Sequence, residues 1–219
     1  HESQLDILVN NAGAAWGAPF DEFPESGWDK VVDLNLKTPF FLTRALIEPL
    51  RKAGAQHVAK VINVASIDGV SVNPQETYSY AASKAGLIHL TKRMSLKLIE
   101  DNIAMSAIAP GAFASDMNRT ARDHGDEVAA RIPARRIGVD DDMAGAAIYL
   151  ASRAGDYVVG ATLVGRALAQ SAGALARDER QLVPHLLSRL RTDMAPGVGK
   201  VLTNARPKAS ESLRRTGVA

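Results

Sequence analysis

Residues 5–13 read Leu-Asp-Ile-Leu-Val-Asn-Asn-Ala-Gly, an apolar run that ends in a turn of small residues. The run has the length and composition of a short buried strand. Asn-x-Gly directly after it suits a tight turn at the carboxyl end of a parallel strand, where α/β sheets bind ligands. An ordinary turn would contain the same three residues, so the interpretation depends on the segments that follow.

Two later β-branched runs, residues 58–64 and 103–108, predict further strands. Ser66 follows the first run closely, and Pro110-Gly111 ends the second. Long stretches of helical periodicity separate the runs. Strands that alternate with helices indicate βαβ units and a parallel sheet, so the sequence predicts an α/β fold.

The first helical stretch begins at Ser26, a predicted N-cap, and continues to Lys52. Pro39 and Pro49 lie within it, so it is predicted to kink or split. A second helix is predicted for residues 75–100. Its apolar residues cover more than one narrow face, which is more than a helix wetted on one side requires.

Tyr80 and Lys84 lie four residues apart on this second helix, and Ser66 lies 14 residues before the tyrosine. Positions i and i+4 share a helix face, so the phenol and the ammonium are expected to point into one site. A nearby positive charge is predicted to lower the pKa of Tyr80 below its ordinary value of about 10. The phenol would then exchange a proton near neutral pH, as hydride chemistry at a carbonyl requires. A tyrosine ring that only packs against the protein, beside a lysine amine in solvent, would show the same spacing.

Five motifs appear in the order and spacing of the short-chain dehydrogenase/reductases: Asn10-Asn11-Ala12-Gly13, Asn35, Ser66, Tyr80-x-x-x-Lys84 and Pro110-Gly111. The resemblance covers residues 4–164 and is greatest to bacterial 3-oxoacyl-(acyl carrier protein) reductases. It implies a Rossmann-like, doubly wound parallel sheet in three αβα layers. Residues 157–164 would enter the last strand, and the first strands of the family's sheet would be missing.

The resemblance also implies a catalytic role for four residues. Tyr80 would be the general acid that protonates the developing alkoxide, and Ser66 would polarise the carbonyl oxygen. Lys84 would bind the nicotinamide ribose hydroxyls and hold down the pKa of the tyrosine. Asn35 would disturb its helix and hold a water of the proton relay. Without the other motifs, Asn35 would be a helix residue with its amide in solvent.

The implied cofactor is NADP or NAD, with NADP favoured. The segment that would discriminate between them is not in this sequence. Besides Tyr80 and Lys84, the cofactor would contact Asn11, Ala12, Gly13, Pro110, Gly111, Phe113 and Ser115. Ser115 stands where the family often has threonine, and its hydroxyl would still meet the carboxamide.

The implied function is NAD(P)-dependent reduction of a carbonyl to an alcohol, with a 3-oxoacyl thioester as the substrate. A sugar or polyol dehydrogenase would carry the same four residues. The sequence holds no glycine-rich phosphate turn, and residues 5–10 would form a bare apolar sheet edge. These two features support the alternative of a catalytically incompetent fragment, or of a non-enzymatic dimerising relic.

Residues 112–137 are polar and charged, and the resemblance makes them the substrate lid. Arginines there would meet an acidic carrier or a phosphopantetheine phosphate, or would form only a solvated helical face.

The helices that contain Asn35 and Tyr80 would form a homodimer or homotetramer interface, unless they are buried within one subunit. Asp140-Asp141-Asp142 is predicted to begin a helix. No metal site is predicted there, because neighbouring helix residues do not converge.

The 219 residues are 46% hydrophobic and contain no cysteine, so one core is predicted without disulfides or thiolate chemistry. No apolar run approaches a membrane span, and a cytoplasmic protein without nucleic-acid or membrane partners is predicted. Residues 1–164 hold 16 basic and 20 acidic residues, whereas residues 165–219 hold 10 and 4 and no aromatic residue. This break predicts a partial catalytic domain, 1–164, and an atypical basic tail, 165–219, that is disordered, fused or out of frame.

Overall fold

A parallel sheet of four strands forms the centre of the computed structural model, which describes residues 3–165. Its strands are β1 (Ile7–Asn10), β2 (Ala59–Val64), β3 (Ile103–Ala109) and β4 (Thr162–Val164). They lie side by side in chain order, and each neighbouring pair is parallel. The predicted parallel α/β sheet is confirmed. Strand β4 is shorter than the predicted 157–164, because Gly160 adopts a left-handed φ of 69° that interrupts the extended chain.

Seven α-helices connect and flank the strands within the described residues. They are α1 (Glu25–Val32), α2 (Thr38–Ala45), α3 (Ile47–Gly54), α4 (Tyr78–Leu98), α5 (Arg119–Asp123), α6 (Gly125–Arg131) and α7 (Asp140–Ala151). A wide π-helical turn, Asp33–Lys37, joins α1 to α2. Short 3₁₀ turns occupy Phe20–Glu22, Ile67–Gly69, Ile99–Asp101 and Arg153–Gly155. The prediction that the three aspartates begin a helix is confirmed by α7.

The stretch predicted as one interrupted helix from Ser26 forms α1, the π turn, α2 and α3. The chain splits at Leu46, ahead of Pro49, so the predicted split is confirmed. The predicted N-cap is wrong: Ser26 lies inside α1, and Pro24 takes the N-cap position. The carbonyl of Pro24 accepts hydrogen bonds from the amides of Gly27 and Trp28, at 3.0 and 3.1 Å. The helix is therefore started by a proline backbone rather than by a serine side chain.

Helices cover both faces of the sheet. Val61 and Ile62 are neighbours in β2 and point to opposite faces. Val61 belongs to an apolar cluster with Leu50 of α3 and Leu98 of α4. Ile62 belongs to another cluster with Leu150 of α7. The core therefore lies in two layers on either side of the sheet, which gives the predicted three-layer αβα arrangement.

Strand β1 forms one edge of the sheet and pairs only with β2 among the described residues. Ile7 and Val9 expose nearly half of their surface there, at 43% and 48%. The predicted apolar edge is confirmed. None of the helices between residues 3 and 165 has the length and hydropathy of a membrane span. The tail predicted for residues 165–219 lies almost wholly outside the described residues and stays a prediction.

Candidate active site

The carboxyl ends of β1, β2 and β3 bring the turn residues of the sequence motifs to one edge of the sheet. Asn11–Gly13 follow β1, Ser66 follows β2 and Pro110 follows β3. The amide of Ile67 donates to the carbonyl of Pro110 at 2.8 Å, which joins the turns after β2 and β3. The structure therefore places these motifs together, at the edge where parallel sheets bind ligands.

Helix α4 delivers Tyr80 and Lys84 to the same edge. The Lys84 Nζ lies 5.6 Å from the centre of the Tyr80 ring and donates to the carbonyl of Val64 at 2.8 Å. The Ser66 hydroxyl lies beside the phenol of Tyr80 and acts to lower its pKa. The Ser66 Oγ also accepts a hydrogen bond from the amide of Asp68 at 3.1 Å. The serine, tyrosine and lysine therefore form one constellation.

The pKa values in this constellation differ from the sequence-based expectation. Burial raises the pKa of Tyr80; the Ser66 hydroxyl opposes this shift and the charge of Asp68 adds to it. Burial also lowers the pKa of Lys84 from 10.5 to about 8. The predicted lowering of the tyrosine pKa by Lys84 is wrong for this structure. The Lys84 ammonium lies over the tyrosine ring and donates to a backbone carbonyl. Removal from water is the largest cause of the pKa shift of both Tyr80 and Lys84.

Asn35 lies in the π turn and is fully buried. Its Oδ1 accepts from the amide of Ala14 at 2.9 Å, and its Nδ2 donates to the carbonyl of Ala14 at 2.9 Å. The same Nδ2 donates to the Ser83 Oγ at 3.1 Å. The prediction that Asn35 disturbs its helix is confirmed, and a solvent-exposed amide is excluded. The predicted water of a proton relay remains a prediction.

Two features of the site were not predicted from the sequence. Gly69 packs so tightly on α4 that an added Cβ would lie 2.6 Å from the carbonyl carbon of Lys84. A buried amide pair also crosses the sheet, since Asn10 Nδ2 donates to Asn63 Oδ1 at 2.8 Å. Asn63 Nδ2 in turn donates to the Thr91 Oγ1 at 2.8 Å and so reaches α4. The sequence signal for the amide pair was an asparagine within each of the two apolar runs that form β1 and β2. Gly69 carried no comparable signal, because a glycine there also fits an ordinary turn.

The residues predicted to contact a cofactor fit such a group in size. Asn11 and Ala12 are exposed. A Cβ at Gly13 would lie 3.4 Å from Asn35 Oδ1 and 3.6 Å from Lys84 Nζ, so this turn passes directly over the lysine. A Cβ at Gly111 would have no atom within 4 Å, which leaves open space beside β3. A buried ammonium below small turn residues suits the hydroxyl groups of a ribose.

The two ends of the predicted lid lie against each other. The amide of Gly138 donates to the carbonyl of Ala112 at 2.8 Å, and the Phe113 ring lies against Gly138. Ser115 is exposed, and its hydroxyl accepts from the amide of Asn118 at 3.1 Å. The roles predicted for Phe113 and Ser115 at the nicotinamide stay predictions. Among residues 3–165 no three histidine, aspartate or glutamate side chains form a metal-binding group.

Two of the lid arginines form ion pairs within the chain. Arg122 lies 2.8 Å from Asp116, and Arg136 Nη2 lies 2.7 Å from Asp142 Oδ1. The guanidinium of Arg136 holds the pKa of Asp142 below its usual range. These two arginines therefore help to fold the lid and to anchor α7.

Comparison with known proteins agrees with this fold. Residues 1–165 match the family described as enoyl-(acyl carrier protein) reductase. The chain is 40% identical over 162 residues to the rhamnolipids biosynthesis 3-oxoacyl-[acyl-carrier-protein] reductase of Pseudomonas aeruginosa. It is 38% identical over 167 residues to the 2-dehydro-3-deoxy-D-gluconate 5-dehydrogenase of Dickeya dadantii. These alignments cover 72% and 73% of this chain and 63% of each relative.

Solved structures give the same result. The Pseudomonas aeruginosa RhlG/NADP active-site complex superimposes with a TM-score of 0.71 at 38% identity, over 74% of this chain and 65% of that one. A gluconate 5-dehydrogenase from Burkholderia cenocepacia J2315, in complex with NADP and tartrate, gives a TM-score of 0.68 at 36% identity. That match covers 74% of this chain and 63% of the other. The chain belongs to the short-chain dehydrogenase/reductase family, and it spans a little under two thirds of the length of these relatives.

Proposed function

We propose that the protein is an NAD(P)-dependent oxidoreductase that reduces a carbonyl to an alcohol. The observation that carries this proposal is the cluster of Ser66, Tyr80 and Lys84 at the carboxyl edge of the sheet, in which the Lys84 ammonium lies 5.6 Å from the centre of the Tyr80 ring. Membership of the family supports it, as do the structural neighbours that contain NADP. NADP is therefore proposed ahead of NAD.

Tyr80 is proposed as the proton donor. Its raised pKa keeps the phenol protonated at neutral pH, so that a proton is available when negative charge develops on the substrate oxygen. Ser66 has one hydroxyl hydrogen, which it would donate to that oxygen as a second hydrogen bond. Its lone pair is already held by the Asp68 amide, which fixes the hydroxyl in place.

Lys84 and the small turns are proposed to hold the cofactor. The Lys84 Nζ uses one hydrogen for the Val64 carbonyl, which leaves two for ribose hydroxyls. The cofactor itself would supply the hydride. Asn35 is proposed to fix the Ala14 backbone beside it. The remaining proposed contacts are Asn11, Ala12, Gly13, Pro110, Gly111, Phe113 and Ser115.

A 3-oxoacyl thioester is the proposed substrate. Val70 and Val72 follow Ser66, Met117 follows β3, and all three apolar side chains are exposed on loops that border the site. An acyl chain would cover such side chains, whereas the hydroxyl groups of a sugar would find no polar partners on them. The sugar-acid dehydrogenases among the relatives favour a sugar or polyol substrate as the second candidate.

The helices around the site are also proposed to join two subunits. Phe41 and Leu42 of α2 and Leu96 of α4 are exposed apolar residues. A homodimer or homotetramer would bury them. A non-enzymatic dimerising role would use the same helices, so the test must separate this role from catalysis. A cytoplasmic location stays a prediction.

The test begins with titration of NADPH and NADH into the purified full chain, followed by reduction of acetoacetyl-CoA and of a ketogluconate. Tyr80→Phe is expected to lower kcat/KM by at least about 100-fold, the lower scale of general acid catalysis, while NADPH still binds. Tyr78→Phe is the matched control, because this hydroxyl bonds only to exposed Glu76. Unchanged activity in Tyr80→Phe would remove the proposed role. Faster ketogluconate reduction would favour the sugar candidate, and absence of cofactor binding would favour the dimerising one.

A further inference from the structure

We propose that Ser83 is a positioning residue that couples the helix of Tyr80 and Lys84 to the turn that borders the cofactor. The inference deepens the proposed function and rests on it for its catalytic meaning. Ser83 lies next to Lys84 in sequence and three residues after Tyr80. Only 1% of its surface is exposed, so its hydroxyl is removed from water.

The Ser83 hydroxyl has one partner on each side. Its Oγ accepts from Asn35 Nδ2 at 3.1 Å and donates to the carbonyl of Tyr80 at 2.8 Å. The second hydrogen of Asn35 Nδ2 goes to the carbonyl of Ala14, and Asn35 Oδ1 accepts from the amide of Ala14. A continuous path of hydrogen bonds therefore runs from the backbone of Tyr80, through Ser83 and Asn35, to the backbone of Ala14.

Every donor in this path is in use. An asparagine amide has two hydrogens and a serine hydroxyl has one, and the contacts above account for all three. Removal of the Ser83 hydroxyl would leave one buried N–H of Asn35 without an acceptor, which destabilises the arrangement that creates it. The Asn35 amide would then turn to find another partner, and its hold on Ala14 would weaken.

A less firmly held Ala14 would affect the site through Gly13, which precedes it in the chain. Gly13 lies against both Asn35 and Lys84, as the short distances from its Cβ position show. A shift of this turn therefore changes the space above the ammonium that is proposed to bind the ribose. Ser83 is thus expected to act on cofactor affinity more than on proton transfer, because Ser66 and the phenol of Tyr80 lie outside the path.

The chain contains a matched control for this proposal. Ser79 lies on the same helix and is equally buried, yet its hydroxyl has no hydrogen-bond partner within the part of the chain that the structure describes. Ser79→Ala and Ser83→Ala therefore remove the same atom from the same helix at the same burial. Only Ser83→Ala breaks a bonded path.

The first measurement is hydrogen exchange at the Ala14 amide in the cofactor-free full chain. Ser83→Ala should accelerate this exchange roughly five- to tenfold, the scale of one lost hydrogen bond, and Ser79→Ala should leave it unchanged. Ser83→Thr keeps the hydroxyl and should exchange like the wild type; it decides the question if Ser83→Ala does not fold. Equal Ala14 exchange in the two alanine variants, or fast exchange in Ser83→Thr, would overturn the proposal.

The second measurement is NADPH binding and steady-state kinetics on the same variants. Ser83→Ala should weaken NADPH binding about tenfold and leave kcat at saturating cofactor within about threefold. A larger loss in kcat than in cofactor affinity would contradict a positioning role. If the wild-type chain binds no NADPH, the proposed function fails, whereas the exchange experiment still tests the coupling itself.

Discussion

Replacement of Lys84 by methionine should make the protein more stable at neutral pH while it weakens cofactor binding. The Lys84 side chain is 4% exposed, and its one described partner is the Val64 carbonyl. Methionine has a similar length and no charge. The substitution therefore removes a buried ammonium without opening a large cavity.

The size of the effect follows from the pKa of Lys84. Burial lowers this pKa from 10.5 to about 8, and each unit corresponds to about 1.4 kcal/mol, so the charged lysine destabilises the fold by about 3 kcal/mol at pH 7. Loss of the hydrogen bond to Val64 offsets about 1 kcal/mol of the gain. Lys84→Met is expected to raise the free energy of unfolding by about 2 kcal/mol.

The stability difference between wild type and Lys84→Met depends on pH. Below pH 8 the lysine is charged in both the folded and the unfolded chain, and the whole penalty is present. Between about pH 8 and 10.5 the unfolded chain binds more protons, so wild-type stability rises with pH. The advantage of Lys84→Met should therefore be constant up to about pH 7.5 and shrink above pH 8.

Urea unfolding of the full chain at pH 7, 8, 9 and 9.5 measures this difference, and groups common to both proteins cancel. Lys60→Met is the control, because Lys60 is also buried but lies 2.6 Å from Asp156. Breaking that pair should lower stability. A Lys84→Met protein that is less stable than wild type at pH 7, or a difference that does not change with pH, would contradict this prediction.

Two further predictions concern the same site. Gly69→Ala should lower kcat/KM by at least about tenfold, because the added Cβ would push the Ser66 turn away from the Lys84 backbone; Gly145→Ala, whose Cβ meets no atom within 4 Å, should keep wild-type activity in the same assay. The phenolate absorbance of wild type minus Tyr80→Phe should appear at higher pH than that of a free tyrosine, since burial raises the pKa of Tyr80. Titration of this phenol below pH 9 would contradict the described environment.

Local patterns in the sequence were sufficient for the parallel sheet and for the cluster of Ser66, Tyr80 and Lys84. The spacing of Tyr80 and Lys84 places them on one helix face, and Ser66 follows directly after a strand, so both predictions needed only short-range geometry. The same is true of the three aspartates that begin α7. The helix start was missed because Pro24 and Ser26 are both good starting residues, and only the packed chain selects one.

The electrostatics of the site required the tertiary structure. A sequence shows that an ammonium lies one turn from a phenol, but not how much water is removed from each. Burial therefore reversed the predicted direction of the pKa shift for Tyr80. In the same way, the partner of Asn35 lies 21 residues away in Ala14, where no periodic pattern reveals it.

The wide turn at Asp33–Lys37 determines how α2 is rotated about the helix axis relative to α1. Buried positions recur strictly every four residues through this region, at Gly27, Val31, Asn35, Pro39 and Thr43. A regular helix has 3.6 residues per turn, so such a series would drift by about 40° at each step. The wide turn contains one residue more than a regular helical turn, and this extra residue cancels about 100° of that drift. Deletion of a single residue there would restore regular winding and keep Thr43 on its present face, whereas insertion of a further residue would rotate Thr43 by about 100° away from Asn10, whose Nδ2 donates to the Thr43 Oγ1 at 3.4 Å.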